Sequence, residues 1–350
     1  MAIKFGNVEV FRHDMNYDFM AGRKLFVGIS AFFVLLSIAV IAIKGLNYSI
    51  DFLGGAEVSI LVKDKAIQRE QIVEIAESAK AGKVEVTTFG AIGTKSETSS
   101  FLIRLQRAAG TAENETAQSA GIIVSTLKEK LGADKVEIGS VTNISGKIGG
   151  EEQQKGYMAL LLSFLGILAY VAFRFDSRFA PGGVICLFHD VIIALGIMTA
   201  LGKPFTVTSI AAFLTIIGYS INDTIIVYDR IREIQENSPK MPMVDVVNRS
   251  LNQTMNRTVL TSFTGLLALL VLTVFGGSAI EDFALTMFIG ILVGSYSSIY
   301  VAAPLTLMMD DFFIKMGWKS KEPKQTAKVA KDPNFIPPVV LKKKPTVVTK

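Results

Sequence analysis

LFVGISAFFVLLSIAVIAI, residues 25–43, decides the class of this chain. It carries no charge, Arg23 and Lys24 fence one end and Lys44 the other, and a helix of that length crosses a hydrocarbon core of about 30 Å. Five further stretches of the same kind follow: Gly156–Phe173, Phe179–Leu201, Pro204–Tyr228, Thr258–Ile280 and Phe283–Met309. Of the 350 residues 50% are hydrophobic and only 19% charged, too little charge to cover a soluble surface of that size. The first span is too long for a cleaved signal peptide, its polar leader is also too long, and no small-x-small site follows it. The chain therefore reads as a polytopic α-helical membrane protein with six transmembrane helices.

Lysine and arginine placement gives an orientation. With residues 1–24 in the cytoplasm, the cytoplasmic segments hold Lys4, Arg12, Arg23, Lys24, Arg174, Arg178, Arg230, Arg232, Lys240, Arg249 and the basic tail. The short loops on the far side hold only Lys203, beside Glu281 and Asp282, as the positive-inside rule expects. A net charge of +5 then speaks for topology and anionic lipids rather than nucleic acid. Cys186 is the only cysteine and lies inside a span, so it has no disulfide partner in the chain.

Residues 45–155, between the first and second spans, read as an extracytoplasmic domain. Ala56–Lys63 alternates like a strand, and Gln68–Lys80 spaces Ile72, Ile75, Ala76 and Ala79 as a helix does. Strands at Lys83–Gly90 and Ser100–Gln106, a helix at Glu113–Leu131 stopped by Gly132, and a strand at Asp134–Asn143 complete a βαββαβ, ferredoxin-like order. The domain holds neither histidine nor cysteine, which removes a Cys or His nucleophile and speaks against a metal site. A binding or mechanical module is expected, not an enzyme. Elsewhere, Met243–Met255 puts Met243, Val246, Val247, Leu251 and Met255 on one helical face, the pattern of a cytoplasmic helix lying in the membrane interface. The tail, residues 310–350, is basic and rich in Lys, Pro and Thr toward its end, which implies disorder and attraction to anionic headgroups or to ribosomal RNA.

Polar groups inside the spans carry the functional signal, since a charge at mid-helix costs about 2.5–3.5 kcal/mol. Asp223 lies well inside the fourth span, with Thr215, Tyr219 and Asn222 at helical spacing. Arg257 opens the fifth span, His189 and Asp190 sit near the middle of the third, and Thr286, Gly290, Gly294 and Ser297 form a small-residue stripe on the sixth. Ordinary roles compete for each: close helix packing for Gly290 and Gly294, a snorkelling cation for Arg257, a structural ion pair for Asp223, a satisfied hydrogen bond for His189.

Four long motifs now make a resemblance specific. GLNYSIDFLGG (Gly45–Gly55), GYSINDTIIVYDRIRE (Gly218–Glu233), NRSLNQTMNRTVLTS (Asn248–Ser262) and IGILVGSYSSIYVAAPL (Ile289–Leu305) resemble, in order and topology, the signatures of the SecF family of protein-export membrane proteins within the RND superfamily. The similarity covers about residues 20–310, with Ser49 and Leu53 standing where the first signature usually has glycine and threonine. The resemblance implies a subunit that works with SecD, beside the SecYEG translocon and SecA, with YajC and a YidC-type insertase as further partners. Its work would be to pull emerging preprotein at the extracytoplasmic face of the bacterial inner membrane, driven by the proton-motive force. It carries the proton pathway onto Asp223 and Arg257, with Asn222 and Asp190 as candidates beside them, and a hinge onto Asp51, Gly54 and Gly55. No cofactor is implied beyond a coupling ion, H⁺ or Na⁺. A single proton crossing 100 mV supplies about 2.3 kcal/mol, so a few would move a domain. Rival readings are an RND-type exporter of lipids or small molecules, an intramembrane aspartyl protease built on Asp190 and Asp223, and a purely structural assembly subunit.

Overall fold

A computed structural model describes residues 16–64, 67–79, 82–89, 99–107, 113–175 and 180–317, with the backbone of two short paired strands, β1 (Lys4–Phe5) and β2 (Val8–Glu9). The first span forms α1 (Arg23–Lys44), which ends at Gly45 with φ 70°, a left-handed conformation that favours glycine. A single turn, α2 (Ile50–Leu53), then leads into the inserted domain.

That domain comprises β3 (Gly55–Val62), α3 (Arg69–Ser78), β4 (Val84–Phe89), β5 (Ser99–Gln106), α4 (Glu113–Leu131) and β6 (Val136–Ile144). Its strands form one antiparallel sheet in the order β4-β5-β3-β6. Period-two alternation sends Ala56, Val58, Ile60 and Val62 of β3 and Phe101, Ile103 and Leu105 of β5 to one face, where Ile72, Ala76, Ile123 and Leu127 of the two helices cover them. Each large side chain so buried contributes about 1.5–3 kcal/mol. The other face is polar, with Arg104 on Glu57 at 2.9 Å.

The bundle continues with α5 (Gly146–Arg174), α6 (Ala180–Ala200), α7 (Val207–Asn237), α8 (Met243–Phe275) and α9 (Ser278–Ser297), a π-helical turn at Ser298–Ala302, and α10 (Ala303–Lys315). Six helical stretches are long and apolar enough to cross a membrane, the last running through α9, the π turn and α10. The π turn precedes Pro304, whose ring would clash with the carbonyl of Tyr300 in a regular α-helix. More than half of the apolar stretch is buried in α6, α7 and the last span, against less than a fifth in α1, α5 and α8. The first three are the centre of the bundle.

The structure differs from the expected interfacial helix at 243–255. These residues are the first turns of the continuous helix α8. Their apolar face does not meet lipid: Val246, Val247, Leu251 and Met255 are buried in one cluster with Tyr228, Ile231 and Ile234 of α7. A lipid-facing and a protein-facing amphipathic helix share one pattern, and tertiary packing decides between them. Phe19 and Met20 join the same cluster. Their segment is tied down by Asn252, which accepts from the Tyr17 amide at 2.9 Å and donates to the Tyr17 carbonyl at 2.8 Å. Asn248 accepts from the Met20 amide at 3.0 Å and donates to Asp18 at 2.7 Å. Tail residues 318–350 lie outside the described residues.

Candidate ion-binding site within the helical bundle

Helix α7 brings the central carboxylate into place. Thr206 caps its start, accepting from the Ser209 amide at 3.0 Å, while the Ser209 hydroxyl accepts from the Thr206 amide at 3.1 Å. Beyond that cap the face Ile216, Ser220, Asp223, Thr224 and Val227 turns inward. Asp223 is only 1% exposed, and neither carboxylate oxygen has a hydrogen-bond partner among the described residues. Such a group is costly as a bare anion, so it calls for a compensating proton or cation. Arg257, placed on α8, has an exposed side chain and forms no ion pair with Asp223 among the described residues, although its charge bears on it.

Thr215 and Asn222, expected on the face of Asp223, point outward and are exposed. Thr264 is exposed as well, and Tyr219 is half-buried. Residues Thr215, Asn222, Arg257 and Thr264 thus lie on uncovered surfaces of α7 and α8, separate from the buried carboxylate.

A second polar centre joins three helices. Asp190 of α6 is 0% exposed, and its carboxylate accepts from the Ser220 hydroxyl of α7 at 2.5 Å and the Ser297 hydroxyl of α9 at 2.8 Å. His189 Nδ1 lies 2.8 Å from the other Asp190 oxygen. Asp223 is not among these partners, so Asp190 and Asp223 do not form the shared-proton dyad an aspartyl protease needs. The small stripe on α9 permits this convergence. A Cβ on Gly290 would strike Ile216, and one on Gly294 would sit 3.3 Å from Ser220 Cβ and 3.6 Å from Asp190 Oδ2. Ser297 and Ser220 are ligands of Asp190 that spacing alone assigned to packing or left unmarked.

The domain meets the bundle through the glycine-rich signature. Ser49 caps α2 by accepting from the Asp51 amide at 3.2 Å, which a glycine there could not do. Asp51 in turn accepts from the Val207 amide at 3.2 Å, the first residue of the helix that carries Asp223. Gly54 has φ 75°, and a Cβ on Gly55 would meet the Leu105 carbonyl and lie 2.7 Å from Ile50 Cγ2. Gly149 of α5 rests on the α2 backbone, where a Cβ would lie 2.7 Å from the Phe52 carbonyl carbon. Phe52 stacks on Phe205 at 5.6 Å, and the Tyr48 hydroxyl lies 2.6 Å from that of Tyr157. Burial, then that hydrogen bond, push the Tyr48 phenol up to about 12. Lys203 closes the junction by pairing with Glu281 at 2.8 Å and Asp282 at 2.7 Å. Across from it on β4, burial first and the Asp282 charge also raise Glu85 above the usual carboxylate range, Arg104 and Lys203 opposing.

Six helices long and apolar enough to cross a membrane, a central carboxylate without a hydrogen-bond partner among the described residues, and an α+β domain set in after the first helix define a polytopic membrane protein. Comparison with known proteins narrows the class. The family model "Protein export membrane protein SecD/SecF, C-terminal" matches residues 123–311, and the "SecD/SecF GG Motif" matches residues 39–66. The chain is 37% identical to the protein translocase subunit SecF of Magnetococcus marinus, covering 87% of this chain and 95% of that one. It is 38% identical to the SecF subunit of Calditerrivibrio nitroreducens, over 86% and 97% of the two chains. The SecDF subunit of Thermus thermophilus is 35% identical over 91% of this chain, which spans only 40% of that longer protein. A crystal structure of that organism's SecDF, a translocon-associated membrane protein, superposes with a TM-score of 0.70 at 34% identity, over 86% of this chain and 40% of that one. The chain belongs to the SecD/SecF family of protein-export membrane proteins.

Proposed function

We propose that this chain is the SecF-type half of a two-part export machine in the bacterial cytoplasmic membrane. It uses the proton-motive force, together with SecD, to promote the late stage of preprotein translocation, and is not an enzyme. The observation that carries this reading is Asp223: a carboxylate buried at membrane depth with no hydrogen-bond partner among the described residues. A structural ion pair would give it one. Arg257, apart from it here, is the cation that a rearrangement of α8 against α7 would bring to bear.

The uncovered polar residues Thr215, Asn222, Arg257 and Thr264 support a partner helix bundle on this face, because a lipid-facing guanidinium and amide are costly. In relatives named SecDF such a chain is 40% of a longer protein, which makes SecD the natural occupant. The link from Asp51 to the first residue of α7 supports transmission, since motion of α7 would be felt at the base of the domain. With the termini in the cytoplasm, the domain faces the emerging preprotein. The Sec translocon with SecA, YajC and a YidC-type insertase belong to this proposal as partners, and anionic lipids as contacts of the basic tail. Na⁺ in place of H⁺ is the second version of the coupling.

The test uses inverted membrane vesicles carrying SecD and this chain, with export of a preprotein followed after ATP-driven translocation is arrested. Imposing a proton gradient should advance the arrested chain in wild type and leave it in place with Asp223→Asn. Advance at the wild-type rate by the Asp223→Asn vesicles would overturn the proposal. A response to a sodium gradient alone would reassign the ion.

A further inference from the structure

The cluster on α6 contains a group that no role above uses. His189 is 6% exposed, and its Nε2 has no hydrogen-bond partner among the described residues, while Nδ1 is engaged with Asp190 at 2.8 Å. A buried ring nitrogen without a partner, on a ring whose other nitrogen faces a carboxylate, is placed to accept a proton: the carboxylate favours the hydrogen on Nδ1, orients the ring and balances the imidazolium. The carboxylate is itself held from two other helices, by Ser220 at 2.5 Å and Ser297 at 2.8 Å.

We propose that His189 and Asp190 form a second proton-binding unit in the bundle, in which Nε2 of His189 takes up a proton and Asp190, gripped by Ser220 and Ser297, holds the resulting imidazolium. In the unloaded state Nδ1–H donates to the carboxylate and the unit carries one negative charge. Loading adds a proton to Nε2, both ring nitrogens then carry a hydrogen, and the unit becomes a neutral ion pair. A neutral pair needs its serine donors less than a bare carboxylate does. Loading therefore loosens the ties of α6 to α7 and α9 where they converge. Ser220 lies three residues before Asp223, within one helical turn, and Ser297 directly precedes the π turn at Ser298–Ala302. Both places are suited to passing on a change: one bears the central carboxylate, the other is a wide turn of the kind found at functional sites in helices. This deepens the proton-coupled reading above and rests on it for its place in export, but binding of the proton itself does not.

Other titratable groups around the unit are few. On α6 the Cys186 thiol, one turn earlier, feels the Asp190 charge. On α7 there are Asp223 and the phenols of Tyr219 and Tyr228, the latter packed against Gly182 and Gly183 of α6, and on the last span the phenols of Tyr296 and Tyr300, with Tyr296 turned to Ser30 and the Phe26 carbonyl of α1. Helix α10 contributes Asp310, α5 the phenols of Tyr157 and Tyr170 along its apolar run, and α1 nothing ionisable between Lys24 and Lys44.

The chain has only two histidines, His13 and His189, which makes the test direct. In a His13→Gln background, labelling histidine with ¹⁵N leaves the two ring-nitrogen signals of a single imidazole from the full chain in lipid nanodiscs, read by NMR across pH 5–9. The expected result is a single titration in which the Nε2 signal moves from a bare to a protonated nitrogen. Asp190→Asn removes the counter-charge and should lower its midpoint by about 1–3 pH units. Ser297→Ala removes a competing donor to the carboxylate and should raise it, and this variant carries the test where Asp190→Asn fails to fold. A bare Nε2 throughout the range, or a midpoint that moves in neither variant, would overturn the proposal. Because the readout needs no export, it separates from the larger reading. Normal export by Asp223→Asn beside a titrating His189 would discard Asp223 as coupling site and leave this unit standing.

Discussion

Two adjacent glycines at the start of α5 should respond oppositely to alanine. Around Gly150 there is no atom within 4 Å of a new Cβ, so Gly150→Ala gains only the helix preference of alanine, about 1 kcal/mol. At Gly149 the new Cβ would collide with the Phe52 carbonyl oxygen and lie 2.7 Å from the Phe52 carbonyl carbon and 2.9 Å from the Asp51 oxygen. Relief to an ordinary 3.4 Å contact with that carbon asks for a shift of about 0.7 Å, and backbone cannot turn aside as a side-chain tip can. Overpacking of this kind costs about 1–3 kcal/mol, more than the helix preference returns over most of that range. The assay is thermal unfolding of the purified chain, followed by a thiol dye on the single cysteine, Cys186, which is buried until the bundle opens. Gly149→Ala should unfold several degrees below Gly150→Ala, and export should fall with it because α2, which carries Asp51, no longer seats on α5. Equal unfolding temperatures for the two variants would refute the reasoning.

Gly290→Ala should weaken the α7–α9 contact by crowding Ile216, and adding Ile216→Ala, which removes every side-chain carbon that the new Cβ would strike, should recover part of the loss in the same unfolding assay. Asn252→Ala removes two water-exposed hydrogen bonds to the Tyr17 backbone, a loss of about 0.5–1.5 kcal/mol that protease sensitivity ahead of α1 would report; unchanged cleavage would count against the clasp. Glu85, raised chiefly by burial, favours its neutral form in the folded state, so its stabilising contribution is present at low pH and lost as pH rises through the raised value. Glu85→Gln should therefore stabilise the chain at neutral pH, with the gain vanishing toward the ordinary glutamate range near about 4.3; a gain that is flat with pH would contradict this. Cysteine substitution at Lys203 should label with an impermeant reagent in intact cells and substitution at Lys240 should not, and the reverse would overturn the orientation.

What the sequence made legible follows from periodicity. The four strands and two helices of the inserted domain lie within a residue or two of the bounds their sequence pattern predicts, because most of them bury one face against a single partner layer. The faces of α7 were not legible. Thr215, Tyr219 and Asn222 recur at helical spacing, and so do Ile216, Ser220 and Asp223, so the pattern supplies two stripes and does not say which is inside. Packing against α6 and α9 chooses the second. The ligands of Asp190 were equally hidden, because Ser220 and Ser297 lie 30 and 107 residues away and a serine on a small-residue stripe looks like packing. Asp223 itself stands out in sequence because a carboxylate in a span needs a reason, and in the fold it is buried.

The central claim, that Asp223 binds and releases the coupling ion with Arg257 resetting it, is tested most directly by the double variant Asp223→Asn, Arg257→Met. A structural pair would be destabilised by about 3–5 kcal/mol when one partner is removed and restored when both are. A proton site loses its titratable group whenever Asp223 is replaced, alone or together with Arg257. The measurement is proton-gradient-driven export by vesicles in which the double variant is shown to assemble with its partner at the normal level. The double variant should assemble and show no gradient-driven export. Export at the wild-type rate would contradict it.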